Sequence, residues 1–220
     1  AFAKYTTDVS PGEYLIDPET GLRVQTGEQE RLGNVFPDFT AGINNTFSYK
    51  GLSLSFLIDM RQGGVMYSET VQTLRGLGLA EETAENRGGT FIDNGVIVTE
   101  RAEDGTITAT RPNDIPVGIQ DFWVNNTQNS VAEFGIFDAS FVKLREVRLG
   151  YTLPSRWFND TFIRDINVAV EGRNLAILSA AVPHVDPEAN LFGAGSNGAA
   201  IEWFNVPSTR SIGFNLTVNL

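Results

Sequence analysis

The feature of this sequence that most constrains its fold is an alternation of apolar and polar residues. It is clearest at the end of the chain, where every second residue from Ile212 to Leu220 is apolar and the residues between them are Gly, Asn or Thr. A repeat of two residues is that of a β-strand with one apolar and one polar face, whereas an amphipathic helix repeats every 3.6 residues. The pattern therefore predicts an amphipathic strand at the end of the chain.

Four further stretches show the same repeat with few interruptions. They lie at 38–50, 51–61, 146–153 and 166–171. Between the first two, Lys50-Gly51 predicts a tight turn that joins antiparallel strands. The five predicted strands are close to the ~9–11 residues with which a tilted strand crosses a bilayer.

The connections between these strands alternate in length. Short ones at 50–51 and 154–165 follow the pattern of periplasmic turns in transmembrane β-barrels, and long ones at 62–137 and 178–206 that of extracellular loops. We therefore expect an all-β fold: the C-terminal strands of a large antiparallel transmembrane β-barrel with long extracellular loops. The expected order is an extracellular loop segment at 1–37, a barrel hairpin at 38–61, a long extracellular loop at 62–137, two barrel strands with a periplasmic turn at 138–177, an extracellular loop at 178–206 and the C-terminal barrel strand at 207–220.

Five strands are too few to close a barrel, because eight is about the minimum and an open edge would leave backbone groups unpaired in the hydrocarbon. We expect the remaining strands to lie outside this sequence. No secretion signal follows Ala1, so we expect any targeting segment to lie upstream as well. Alternation also occurs in soluble antiparallel sheets, which keeps a soluble β-rich carbohydrate-binding or adhesin domain as an alternative.

Charge and motifs favour neither nucleic-acid binding nor catalysis. The net charge is −11, and the three stretches read as loops (1–37, 62–137 and 178–206) hold most of the acidic residues, which would repel phosphate backbones. Residues 193–198 match G-x-G-x-x-G, but no helical pattern follows and no acidic residue lies at the required spacing. His184, Asp186 and Glu188 are too few ligands for a metal site. We expect no enzymatic activity, cofactor, metal or nucleic-acid partner.

Several motifs resemble a known family. They are Phe36-Pro37-Asp38-Phe39-Thr40-Ala41-Gly42, the stretch 45–56, the stretch 138–147, Gly150-Tyr151-Thr152-Leu153-Pro154, Gly172-Arg173-Asn174-Leu175, Asp186-Pro187-Glu188 and Pro207-Ser208-Thr209-Arg210-Ser211. In this order they are similar to the C-terminal end of SusC/RagA-type TonB-dependent outer-membrane transporters of Bacteroidota. The chain departs from the family at Leu220, where an aromatic residue is common, and at His184-Val185.

The resemblance implies a large plugged barrel of the ~22-stranded class in the bacterial outer membrane. It implies import of oligosaccharides, peptides or other large nutrients beneath a SusD-type surface lipoprotein. Energy would come from TonB-ExbB-ExbD through a segment outside this sequence. The other expected partners are the rest of the barrel, its plug and the lipid bilayer. A structural barrel without a transport role is a further alternative.

Two groups of residues are candidates for contact with a nutrient or partner. Strand parity predicts that six charged side chains face the lumen, where they would contact nutrient, contact the plug or pair with one another across strands. These are Asp59, Arg61, Glu146, Arg148, Glu171 and Arg173. Aromatic side chains in the long loops would stack on sugar rings or pack against the lipoprotein lid; the candidates are Trp123, Trp203 and Phe204.

Overall fold

In the computed structural model the alternating stretches form one antiparallel sheet of five long strands. The structure describes residues 4–5, 12–128, 131–159, 161–193 and 199–220. Its strands are β1 (Lys4–Tyr5), β2 (Glu13–Tyr14), β3 (Phe39–Tyr49), β4 (Leu52–Gln62), β5 (Val65–Ser68), β6 (Thr90–Ile92), β7 (Val96–Arg101), β8 (Ile107–Pro112), β9 (Pro116–Gly118), β10 (Ile136–Asp138), β11 (Phe141–Thr152), β12 (Asp165–Ala180), β13 (Ile201–Glu202) and β14 (Ser211–Asn219). The helices are α1 (Glu69–Gly76) and α2 (Ile119–Gln128), with 3-10 turns at Glu81–Thr83, Ala132–Gly135 and Ser155–Trp157.

The chain divides into two compact units. The sheet unit comprises Asn34–Met66, Phe137–Ala200 and Asn205–Leu220, and the loop unit comprises Ala1–Gly33, Tyr67–Ile136 and Ile201–Phe204. None of the helices in the described ranges is long and apolar enough to cross a membrane.

The five long strands of the sheet unit stand in the order β14-β12-β11-β4-β3, and every neighbouring pair is antiparallel. All five strands that the alternation predicts are therefore present. Lys50 and Gly51 join β3 to β4 with φ values of 46° and 86°. Two consecutive positive φ values are typical of the type I′ hairpin turn, whose twist matches that of the strands.

One strand is longer than the sequence predicts. The expected loop at 178–206 begins inside β12, which continues to Ala180 because Val142 and Phe141 of β11 pair with Ser179 and Ala180. The short apolar repeat at 166–171 does not reveal this extension, since the additional residues include Ser179 and Ala180 and carry no alternation.

The loop unit has its own core, to which two separate parts of the chain contribute buried apolar side chains. Its buried apolar side chains include Ile16, Val71, Val96, Ile97, Val117, Phe122 and Val131. Helix α1 follows directly on β5, and β7 and β8 form an antiparallel hairpin about Asp104-Gly105. The sequence-based interpretation missed α2 and treated 62–137 as a loop by itself, whereas the Ile16 N–H donates to the Val96 carbonyl at 2.8 Å and links the first part to the second.

Candidate functional site: the two faces of the sheet and the exposed loop aromatics

One face of the five-stranded sheet carries continuous rows of apolar side chains. The strand register places Phe47, Leu54, Leu149, Val170 and Phe214 side by side across all five strands. A second row lies two residues away along each strand and contains Tyr49, Leu52, Tyr151, Val168 and Leu216. All ten are exposed, from 38% for Leu54 to 87% for Phe214. Contiguous apolar surface of this kind is rare in water-soluble proteins, where it marks a contact with a partner or a membrane.

The opposite face is polar and carries the six charged residues that parity assigned to the lumen. Asp59 and Arg61 lie two residues apart on β4 and therefore share one face. The register aligns Glu146 with Arg173 and Arg148 with Glu171 across β11 and β12. The structure therefore places all six on a single face of the sheet. That this face lines a lumen stays a prediction.

Three of these six charged side chains contact one another. The Arg173 guanidinium lies 3.5 Å from the Glu146 carboxylate and 3.4 Å from that of Glu171. Arg148 donates to the Asn167 side chain at 2.9 Å. The Glu171–Arg173 pair lies within β12, whereas Glu146 and Arg173 pair across β11 and β12 and support the interpretation as charges paired between neighbouring strands. Exposed pairs of this kind stabilise a sheet modestly. Arg61 instead donates to the Val35 carbonyl at 2.6 Å.

A cluster that the sequence-based interpretation missed lies at one end of the polar face. The Lys143 ammonium lies 2.5 Å from Asp186 and 2.7 Å from Glu188. The Arg145 guanidinium contacts Glu188 and also donates to Asp59 at 2.7 Å. We call these five residues, with Ser208 that also donates to Asp186, the rim clamp. Asp186 and Glu188, weighed above as cation ligands, thus bind basic side chains instead.

Hydrogen bonding controls the ionisation of the two loop carboxylates of the rim clamp. Burial alone would raise the pKa of Asp186, but hydrogen bonds from Lys143, Ser208 and two backbone N–H groups outweigh it and hold the pKa at about 2. Burial opposes ionisation of Glu188 too, yet hydrogen bonds from Arg145 and Lys143 keep its pKa below the usual value. Both carboxylates therefore stay charged at physiological pH.

The three candidate aromatic residues have different environments in the loop unit. Trp123 packs edge-on against Phe122 and Phe134, with ring centroids 5.5 and 5.7 Å apart. Its ring is part of the internal packing of the unit. By contrast, Trp203 and Phe204 are 47% and 57% exposed.

A buried carboxylate holds the exposed pair in place. Glu202 is fully buried and accepts hydrogen bonds from Ser68 at 2.5 Å and Thr70 at 2.6 Å. The Thr70 hydroxyl in turn accepts the backbone N–H of Phe204 at 2.9 Å. Trp203 and Phe204 are therefore displayed from a fixed position at the start of α1.

The described part of the chain holds no group of three His, Cys, Asp or Glu side chains placed to bind a metal ion. Of the glycine-rich motif at 193–198, residues 194–198 lie outside the described residues.

Comparison with known proteins gives consistent relatives. TonB-dependent receptor P3 of Formosa agariphila is 26% identical over 223 residues, which span 99% of this chain and 20% of that receptor. TonB-dependent receptor P26 of the same organism is 26% identical over 200 residues, which span 88% of this chain and 18% of the receptor. The resemblance to SusC/RagA-type TonB-dependent receptors is confirmed. No family model matches the chain.

Solved structures match this chain in fold. The RagAB peptide importer in its open-open state aligns with a TM-score of 0.60 and 20% identity, covering 100% of this chain and 22% of the importer chain. Its closed-closed state gives 0.58 and 18%, covering 99% and 22%. The chain thus spans about a fifth of the length of the proteins it matches. These relatives are named as receptors and an importer, in agreement with the expectation that the chain is not an enzyme.

Proposed function

We propose that this chain is the C-terminal part of a TonB-dependent outer-membrane transporter that imports large nutrients, either oligosaccharides or peptides, with a SusD-type surface lipoprotein. The observation that carries the proposal is the sheet with two exposed apolar rows on one face and paired charges on the other. A bilayer removes the apolar rows from water, and a water-filled lumen solvates the charged face. A soluble carbohydrate-binding domain would have to leave both rows in water.

Aromatic side chains near one end of the sheet support a membrane location. Tyr49 and Tyr151 lie on the apolar face at the end of the short turns, and Trp157 and Phe162 in the adjoining connection are 61% and 77% exposed. Aromatic residues of this kind are enriched at membrane interfaces. The short-turn end would be periplasmic, and the connections that leave the other end would be extracellular.

The edges of the sheet support a larger barrel. In the described residues β3 and β14 are the edge strands, so each has one row of backbone groups facing away from the sheet. A lipid environment requires partners for these groups, and we propose that further strands of the same protein supply them. The plug and the segment that contacts TonB-ExbB-ExbD would lie in that remainder.

Uptake by the intact organism tests the transport proposal. We expect deletion of the full gene to abolish uptake of labelled oligosaccharides or of labelled peptides, and deletion of TonB to have the same effect. Restoring the gene should restore uptake in the TonB-positive strain alone. If uptake of both nutrient classes were unchanged by deletion of the gene, the protein would be a structural barrel and the proposal would be wrong.

The exposed pair Trp203 and Phe204 is the proposed contact to the lipoprotein lid. Aromatic side chains displayed on a fixed backbone are typical anchors of protein interfaces. In the full-length receptor, we expect Trp203→Ala with Phe204→Ala to reduce co-purification of the lipoprotein at least about tenfold, the loss expected when an interface anchor is removed. Trp157→Ala is the matched control, because it removes an exposed aromatic ring from the short connection between β11 and β12. Equal co-purification of all variants would exclude the docking role.

A further inference from the structure

The rim clamp lies on the polar face of the sheet, because a β-bulge in β11 directs its two cations to that face. Arg145 is an additional residue in β11, since Leu144 pairs with Ile58 and Glu146 with Leu57 of β4. The bulge places Lys143 opposite Asp59, and the Arg145 guanidinium donates to the same Asp59 carboxylate at 3.0 and 2.7 Å. Both cations therefore project from the face that carries the charge ladder. A bulge commonly redirects a side chain in this way.

The turn Asp186-Pro187-Glu188 lies over these cations. Lys143 binds both of its carboxylates, and Arg145 binds Glu188 at 2.5 Å. The first part of the connection between β12 and β14, residues 181–193, thus reaches over the polar face at the end of the strands where the long connections begin. A connection that stood upright from the strand ends would not reach Asp59 and its partners.

Burial of the Lys143–Asp186 ion pair fixes the turn at this position. Lys143 is 3% exposed and Asp186 is 7% exposed. A buried ammonium requires an anionic partner, and loss of either member leaves an uncompensated charge. The Ser208 hydroxyl and N–H both donate to Asp186, the N–H at 3.1 Å. Asp186 therefore fixes the connection at two points that are 22 residues apart in sequence.

We propose that residues 181–193, the first part of the connection between β12 and β14, form an inward-folded loop, locked by the rim clamp, that narrows the outer mouth of the barrel and lines the nutrient's route. The inference rests on the proposed function, because only there does the polar face line the lumen. Leu191 and Phe192, which follow the clamped turn and are 44% and 57% exposed, supply apolar contacts for a passing peptide or sugar. The loop is thus a fixed element of selectivity, separate from the lipoprotein lid.

Crosslinking in the full-length receptor tests whether the loop folds over the polar face of the sheet. Residues that follow one another in a strand point to opposite faces, so Leu57 and Ile58 are a matched pair. In a cysteine-free background, we expect a short bismaleimide to crosslink Leu57→Cys to Ala189→Cys and to leave Ile58→Cys with Ala189→Cys unlinked. Crosslinking of the second pair alone, or of neither pair, would overturn the inward fold. If the first pair crosslinks but strand β14 shows no lipid-facing side, the proposed function fails instead.

Variants that break the rim clamp test whether the loop narrows the mouth of the barrel. A cysteine placed at Ser55 on the polar face would be labelled from outside by a small maleimide and by a polymer-coupled maleimide. We expect Lys143→Met to increase the rate for the polymer-coupled reagent at least about fivefold, because local opening governs access, while the small reagent is little affected. Lys143→Arg, which keeps the cation, should change both rates less.

A milder variant covers the case in which Lys143→Met does not assemble. Ser208→Ala removes one hydroxyl of the clamp and leaves every charge paired, and we expect the same direction of change. Unaltered access of the polymer-coupled reagent in an assembled Lys143→Met or Ser208→Ala receptor would refute the narrowing role.

Discussion

A single arginine in β14 distinguishes the two faces of the sheet by its energetic cost. Leu216 lies in the second apolar row beside Val168 and is 66% exposed, whereas its neighbour Asn215 projects from the polar face beside Ala169. We expect Leu216→Arg to disrupt assembly and Asn215→Arg to be tolerated. Ser55 is a poorer control than Asn215, because it faces Arg148 and a second cation there would add repulsion.

In the proposed barrel, the energetic cost of Leu216→Arg depends on the depth of Leu216 in the membrane. It is the sixth of the nine residues of β14, close to the middle of the strand. An arginine on the lipid side near the bilayer midplane costs about 2–4 kcal/mol, while one in a lumen costs little. Since each 1.4 kcal/mol is tenfold, the folding equilibrium should fall roughly 30- to 700-fold for Leu216→Arg.

The assay is the amount of heat-modifiable, assembled receptor in outer-membrane fractions of cells that express the full-length variants. Total synthesis, measured in parallel, corrects for expression. We expect the assembled fraction of Leu216→Arg to fall to a few per cent or less and that of Asn215→Arg to stay near wild type. Equal losses for the two variants would refute the assignment of lipid and lumen faces.

Three further outcomes are expected. Deleting Phe214 to Leu220 removes most of β14, so the receptor should remain unassembled and sensitive to periplasmic protease; a heat-modifiable truncated barrel would contradict this. Because the pKa of Asp186 is lowered from 3.8 to about 2, the clamp is fully stabilised above pH 3.8 and weakens as the pH falls through about 2, so a nitroxide at Phe192→Cys should gain mobility only in that range and not between pH 7 and 5. Gly51→Ala places a methyl group 2.8 Å from the Thr152 carbonyl at a positive φ and should destabilise the turn by about 1–2 kcal/mol, measured as a lower urea midpoint for unfolding; an unchanged midpoint would exclude strain at this turn.

Strand positions were predictable because one physical requirement repeats along the chain. A sheet with one apolar and one polar face needs a period of two, and a register error of one residue would reverse every side chain. The same parity placed Asp59, Glu146 and Glu171 on one face without knowledge of the strand order. Lys50-Gly51 identified the hairpin because few residue pairs adopt two positive φ values.

The rim clamp was not predictable from these rules. Its carboxylates Asp186 and Glu188 lie more than 40 residues from Lys143 in sequence, and periodicity does not report such contacts. The bulge at Arg145 also has no local signal, since it inserts one residue between two regular stretches. The available indication was chemical, because Lys143 lies between the apolar residues Val142 and Leu144 in the segment predicted to form barrel strands. A cation that becomes buried there requires an anionic partner from elsewhere in the chain.

The loop unit contains two further features that local sequence patterns do not reveal. Helix α2 contains Asn125, Asn126 and Thr127, which have low helix propensity, so its formation depends on tertiary packing of Phe122 rather than on local preference. The burial of Glu202 similarly depends on hydroxyl donors from residues 68 and 70, more than 130 positions earlier.

In the proposed barrel, the five-stranded sheet has one lipid-facing and one lumen-facing side. The most direct test is a nitroxide scan of positions 211–219 in the full-length receptor reconstituted in liposomes, with accessibility to oxygen and to a water-soluble nickel complex measured at each position. We predict that oxygen accessibility peaks at 212, 214, 216 and 218, and that nickel accessibility peaks at the residues between them. Absence of the two-residue period, with every position accessible to nickel, would contradict the account and favour a soluble sheet.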